Sequence, residues 1–187
     1  MAPEIWWYLA RATGLVAWAL AVGSLLVGLA LATRAMGPKP MGPWLLDLHR
    51  WLGGLAVVFT VLHVGALIAD SYLDFSVIDA VVPFAAAWRP GAVAWGVAAL
   101  WVMVAIEVTS LLMRRLPKRL WRAVHLSSYA LAVMATLHGA TAGTDVGHPA
   151  VAWAVLGSIA GATFFVAYRR FAPKKPARRI PAREATT

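Results

Sequence analysis

Charged residues divide the chain into long uncharged runs. Such runs lie between Arg11 and Arg34, between Arg50 and Asp70, between Arg122 and Asp145, and between Asp145 and Arg169. A fifth, from Arg89 to Arg114, is interrupted only by Glu107. A helix rises ~1.5 Å per residue, so each run can cross a hydrocarbon core about 30 Å thick. The pattern predicts an all-α integral membrane protein with five transmembrane helices, over about residues 7–33, 44–69, 91–113, 120–142 and 148–168, joined by short connections. The first run is not expected to be a cleavable signal peptide, because it is long and is preceded by Glu4 instead of a basic leader. Residues 1–168 form the expected membrane domain. Residues 169–187 form a basic tail, where Pro173, Pro176 and Pro181 among Lys and Arg mark a disordered segment at the membrane surface.

Composition agrees. Of 187 residues 61% are hydrophobic and 13% charged, and the mean hydropathy is +0.71, which excludes a disordered chain and is too apolar for a soluble domain. The formal charge of +9 would suit a nucleic-acid binder, but its location removes that reading. Fifteen of the 17 basic residues fall around the first connection (Arg34, Lys39, Arg50), the third (Arg114, Arg115, Lys118, Arg119, Arg122) and the tail. By the positive-inside rule these face the cytoplasm, with the amino terminus outside and the carboxyl terminus inside. The expected location is the cytoplasmic (inner) membrane, as a multi-pass protein. The basic residues are thereby assigned to topology and to anionic lipid, with no nucleic-acid partner. The chain has no cysteine, which excludes disulfides, iron–sulfur clusters, thiolate nucleophiles and covalently attached c-type haem.

Ionisable residues inside a membrane need a reason, and the histidines are the informative ones. His49 and His63 lie fourteen positions apart on the second helix, and His125 and His138 lie thirteen apart on the fourth. Those separations are about 21 Å and 20 Å along a helix axis, too far for either pair to share one metal ion. Depth matches instead across the helices. His49 precedes Arg50 and His125 follows Arg122 by three, near the inner boundary, while His63 and His138 each stand seven positions before an aspartate, nearer the outer one. The second and fourth helices run parallel in this topology, so His49 can face His125 and His63 can face His138. Imidazoles presented in two facing pairs inside an apolar bundle are what two b-type haems require. Zinc or iron without porphyrin fits less well, because a two-histidine site lacks the further ligands such ions take. A proton or metal transporter using the histidines is the remaining rival, though broken helices or inverted repeats are not evident.

One step does not close on an ideal helix. Thirteen positions at about 100° each leave His138 about 140° from the face of His125, so the fourth helix is expected to carry an irregularity or tilt, or the two haems to be rotated relative to each other. Gly53, one turn after His49, and Gly65 and Gly139 near the outer level are expected to let a macrocycle approach the backbone, or to serve helix contacts. Arg50 and Arg122 on the inside, and Arg11 and Arg89 on the outside, are placed to pair with haem propionates. Trp6, Trp7, Trp44, Trp88 and Trp121 fall at helix ends as interfacial anchors. Glu107 is a candidate for proton handling or charge pairing, and His148 for contact with an acceptor.

The double histidine spacing, with the basic turn Met113-Arg114-Arg115-Leu116-Pro117-Lys118-Arg119-Leu120-Trp121-Arg122-Ala123-Val124-His125 leading into the second pair, resembles the ferric reductase-like transmembrane domain. That superfamily includes NADPH oxidases, ferric-chelate reductases and the haem membrane subunit of the bacterial periplasmic methionine sulfoxide reductase system. The resemblance runs from about Trp6 to Tyr168. It implies two b haems, the inner liganded by His49 and His125 and the outer by His63 and His138. The activity it implies is oxidoreductase-type electron transfer from a cytosolic reduced flavin or flavoprotein to an extracytoplasmic acceptor. A membrane haem subunit feeding a periplasmic reductase is the alternative, but that subunit typically lacks a counterpart of His49. The short stretch after Tyr168 contains no phosphate-cradling loop, so the donor is expected to be a separate protein.

Overall fold

A lipid-embedded chain must satisfy its backbone hydrogen bonds internally, and apolar runs of this length do so as helices. The computed structural model describes residues 4–33, 41–72 and 74–171, and contains helices and no strand among them. In chain order these are α1 (Glu4–Thr33), α2 (Met41–Ala69), α3 (Val77–Val81), α4 (Pro90–Leu111), α5 (Lys118–Leu126), α6 (Ser128–Ala142) and α7 (Pro149–Phe171). By length and composition α1, α2, α4 and α7 can each cross a membrane. Arg169, Arg170 and Phe171 continue α7 instead of opening the tail. The rest of the expected disordered tail, together with Arg34 and Lys39, lies outside the described residues.

Two features add to the sequence expectation, the first of them an irregularity in the place where the histidine spacing called for one. The fourth predicted helix is two pieces, α5 and α6, interrupted at Ser127. There the Ser127 amide donates to the Val124 carbonyl at 3.0 Å, and the Ser127 hydroxyl donates to the same oxygen at 2.6 Å. This tightened turn lies between His125 and His138, so an ideal-helix rotation does not relate the two side chains. The second feature is α3, inside the expected loop from Asp70 to Arg89. A capping box starts it: the Ser76 amide and hydroxyl donate to the Asp79 carboxylate at 2.8 and 2.7 Å, and the Asp79 amide donates back to Ser76 Oγ. Asp74, Phe84 and Arg89 adopt positive φ at 46°, 66° and 42°, which folds this connection back on itself.

Packing follows from small side chains. Along α1, Ala10, Thr13, Ala17, Ser24 and Ala30 are buried, allowing close approach of α2 along its length, with α6 and α7 also against α1. Ala56 of α2, Ala99, Met103 and Ile106 of α4 and Leu131 of α6 form the central cluster, joined by Leu20 and Ala21 of α1. Outward surfaces are apolar. On α7 no residue among those described is buried, and Trp153, Leu156, Ile159, Phe164 and Phe171 are all exposed. Water would not tolerate such a face, whereas acyl chains match it.

Polar ties cluster where α1 begins and α6 ends. Arg11 grips the Asp145 carboxylate with Nε and Nη2 and lies 4.9 Å over the Trp7 ring. Arg89 donates to the Thr141 carbonyl at 2.8 Å and covers Trp88 at 5.0 Å. The Arg11 hydrogen bond holds the Asp145 carboxyl below its ordinary range. Such a group adds stability above the unfolded carboxylate value of about 4, and loses it as pH falls through its lower folded value. Asp145→Asn should therefore lower the thermal midpoint in detergent by a constant amount between neutral pH and about pH 5, with the gap from the unsubstituted protein closing below about pH 4. A gap that persists in acid would assign the loss to something other than this ion pair.

Candidate functional site

The four intramembrane histidines come together in two pairs. The rings of His49 and His125 have centroids 5.9 Å apart and planes inclined by 76°; those of His63 and His138 are 6.3 Å apart at 77°. Two imidazoles bound to one metal ion through nitrogens about 2 Å away have centres roughly 6 Å apart, since each centre lies ~1 Å behind its nitrogen. Each pair therefore leaves a separation in which one metal ion, bound by a nitrogen from either side, would fit.

A shared device orients three of the rings. His63 Nδ1 donates to the Ala10 carbonyl at 2.7 Å, His49 Nδ1 to the Ser24 carbonyl at 2.9 Å, and His138 Nδ1 to the Ala92 carbonyl at 2.9 Å. Carbonyls only accept, so Nδ1 carries the proton and Nε2 keeps the lone pair that a metal needs. A mid-helix carbonyl is normally screened by the side chain one turn on, whose Cβ tilts back toward it. Here the residue at that position is Gly14, Gly28 and Gly96 for Ala10, Ser24 and Ala92 in turn. A Cβ at Gly14 would come within 2.8 Å of the His63 ring, at Gly96 within 2.8 Å of the His138 ring, and at Gly28 within 3.2 Å of the His49 ring. Absence of those methyl groups opens the second lone pair of each carbonyl to an imidazole from the neighbouring helix.

These bonds also set helix register. The step from His49 to His63 on α2 equals the step from Ser24 back to Ala10 on α1, so the two helices are antiparallel and in step. Gly14 and Gly28 repeat the same spacing, a signal that the sequence carries and that the spacing of charges and histidines alone does not expose.

His125 is the exception. Its Nδ1 is buried without a partner among the described residues, as is the neighbouring Trp121 Nε1, and the two rings stack at 5.0 Å and 22°. Moving along α4 from Ala92 by the step that separates His125 from His138 leads to the carbonyl of Ala105. One turn further stands Thr109, whose hydroxyl takes that oxygen at 2.7 Å. A side chain thus closes the lone pair that glycine opens elsewhere.

The other expected residues divide. Gly65 and Gly139 face open space, where a Cβ would meet no atom of another helix among the described residues within 4 Å, whereas a Cβ at Gly53 would meet Glu107 Oε1 at 3.2 Å and Ser24 Oγ at 3.7 Å. Gly53 is therefore a helix-contact position, and Glu107, partly buried, lies at the level of His49. Arg50 is exposed and 3.5 Å from Asp47, and Arg122 is exposed. Arg11 and Arg89 are engaged by Asp145 and the Thr141 carbonyl, an engagement that competes with the propionate role their positions suggested. His148 is exposed and caps the start of α7 by accepting from the Ala150 amide at 3.3 Å.

Among the described residues no group of three or more His, Asp or Glu converges as a metal site. Each pair supplies two nitrogens, and the remaining ligands of an iron would have to come from a macrocycle. The buried polar atoms of Trp121 and His125 without a partner among the described residues fit a further group held at that pair.

Comparison with known proteins points the same way. The ferric reductase like transmembrane component family matches residues 13–136, taking in His49, His63 and His125 and ending just before His138. Curated proteins and solved structures give no match. Domains of that family are typically haem-binding and serve electron transfer across membranes. With about two thirds of its length in that match and its apolar helices built to cross a bilayer, this membrane protein belongs to the ferric reductase like transmembrane component family.

Proposed function

We propose that the chain conducts electrons across the cytoplasmic membrane through two b-type haems, one held by His49 and His125 and the other by His63 and His138. The observation that carries this reading is the pair of 5.9 and 6.3 Å ring separations, in which three of the four rings are fixed with Nε2 as the free nitrogen. When bound, each haem supplies a reversible one-electron carrier in a low-dielectric surround. The chain's own part is to hold the four imidazoles in their tautomers and to exclude water with the Ala, Leu and Met side chains of the central cluster. It also presents Arg50 and Arg122 at the mouth of the first pair. The orientation proposed is the one the basic residues favour, with His49 and His125 toward the cytoplasm and five crossings, α5 and α6 together forming the fourth. A cytosolic reduced flavin or flavoprotein is the proposed donor and an extracytoplasmic redox partner the proposed acceptor. Residues 1–168 are the proposed haem domain.

Protein purified from cells supplied with haem should be red, with a reduced-minus-oxidised difference spectrum of bis-histidine b-type haem. A colourless preparation sinks the reading. His49→Ala and His63→Ala should each remove about one haem's worth of absorbance; loss of both from either change would argue against two separately held groups. Near-perpendicular imidazole planes should also give the oxidised protein a strongly anisotropic low-spin EPR signal, and a signal typical of parallel planes would contradict the geometry.

The glycine device makes a graded prediction. Gly14→Ala and Gly96→Ala drive a methyl group against His63 and His138 and should deplete the outer haem selectively. Gly28→Ala, with more room, should shift the inner haem's spectrum while retaining most of its content. Haem content and difference spectra of the three variants check the order, and equal loss from all three would count against it.

A further inference from the structure

The connection from Asp70 to Arg89 has the wrong surface for an aqueous loop. Val77, Ile78, Val82 and Phe84 are exposed, Ile78 at 64% and Phe84 at 71%. Between Asp70 and Arg89 the only charges are Asp74 and Asp79, and the Asp79 carboxylate is turned back onto Ser76 by the capping box. Its depth is set by α4. Trp101 Nε1 donates to the Val81 carbonyl at 2.9 Å, and Trp101 lies about three turns along α4 from Pro90, or about 16 Å at ~1.5 Å per residue. A tryptophan side chain leaning ~6 Å back toward the helix start, with a hydrogen bond of 2.9 Å beyond it, still leaves Val81 at least about 7 Å below the level of Pro90. Phe75 meanwhile packs with Ala86 on Val93 and Val97, one to two turns into the same helix. The 22 residues of α4 make about 33 Å of helix, which the hydrocarbon core spans almost end to end. Pro90 is thus near the boundary, and the segment sits below it.

We infer that residues 75–85 are embedded in the headgroup–acyl boundary of the leaflet into which α2 ends, with α3 lying against α4 and its apolar side chains among acyl chains. Lipid is the occupant this surface fits. It is continuous with the exposed Trp95 and Trp101 face of α4, which a membrane-crossing helix gives to lipid. Several of the backbone groups that such a segment brings out of water are paired: the Ala80 and Val82 amides donate to Ser76 and Ile78, the Ala85 amide to Val82, and the Val81 carbonyl accepts from the Trp101 indole. Apolar segments at this depth are held as interfacial helices are, by area removed from water. The inference rests on α4 crossing the membrane and is independent of any haem.

The natural absence of cysteine makes the test direct. Single variants Ile78→Cys, Val82→Cys and, as an aqueous reference in the α6–α7 connection, Gly147→Cys would be spin-labelled in phosphatidylcholine–phosphatidylglycerol vesicles. Accessibility to oxygen and to a water-soluble nickel chelate is then compared. Labels at 78 and 82 should show a several-fold higher oxygen-to-nickel ratio than the label at 147, and Val77→Cys serves the same comparison should either variant not fold. Ratios at 78 and 82 equal to that at 147 would overturn the inference and leave the patch open to a soluble partner.

Discussion

The fold turns on a bond between an imidazole and a helix backbone. Each of three histidines donates Nδ1–H to a carbonyl that is already part of a helix ladder, and can do so because the residue one turn on is glycine. The same contact sets three things together. It brings the helix axes close, since a ring cannot reach a carbonyl across a methyl group. It sets register, since Ser24 and Ala10 on α1 are spaced as His49 and His63 are on α2. It also chooses the tautomer, leaving Nε2 as the nitrogen with a lone pair. Helix association inside lipid gains nothing from apolar burial alone, so close packing and interhelical hydrogen bonds have to provide it. Placing those bonds at the proposed ligands makes the architecture and the site one set of interactions.

The two pairs are not equivalent. The pair at the α6 level is held from both sides, His63 by α1 and His138 by α4. At the α5 level, His49 bonds to the Ser24 carbonyl with the Ser24 hydroxyl also 3.0 Å away, while His125 rests on Trp121 and lacks a carbonyl. A histidine whose Nδ1–H has no acceptor is a weaker electron donor through Nε2 than one whose proton is shared. The break at Ser127 separates the two environments, so α5 can orient His125 by stacking while α6 orients His138 by a backbone bond.

The edges of the bundle obey a different rule. Where the α1, α4 and α6 ends meet, arginines bind acceptors with a tryptophan beneath each guanidinium, as suits a boundary that is half wet. Arg11 finds Asp145 across most of the chain's length, a partner no local pattern would have named. Between these ties the connection after α2 folds back against α4, and its apolar surface continues that of the helices beside it.

The sequence by itself determined a great deal. Spacing of charges located the long helices to within a few positions, because a bilayer's thickness leaves little choice of length. Matched depths of the histidines named which would face which, because a helix converts residue number into height. Even the odd step between His125 and His138 demanded an irregularity, though not its place. Only the tertiary structure decided what depends on partners from other helices: Gly14, Gly28 and Gly96 as openings for a ring, Gly53 as a contact with Glu107, Arg11 bound to Asp145, and the turn at Ser127. It also decided where α3 packs along α4, since so short a helix carries too little periodicity to be read, and what ties it there is the indole of Trp101, on a different helix.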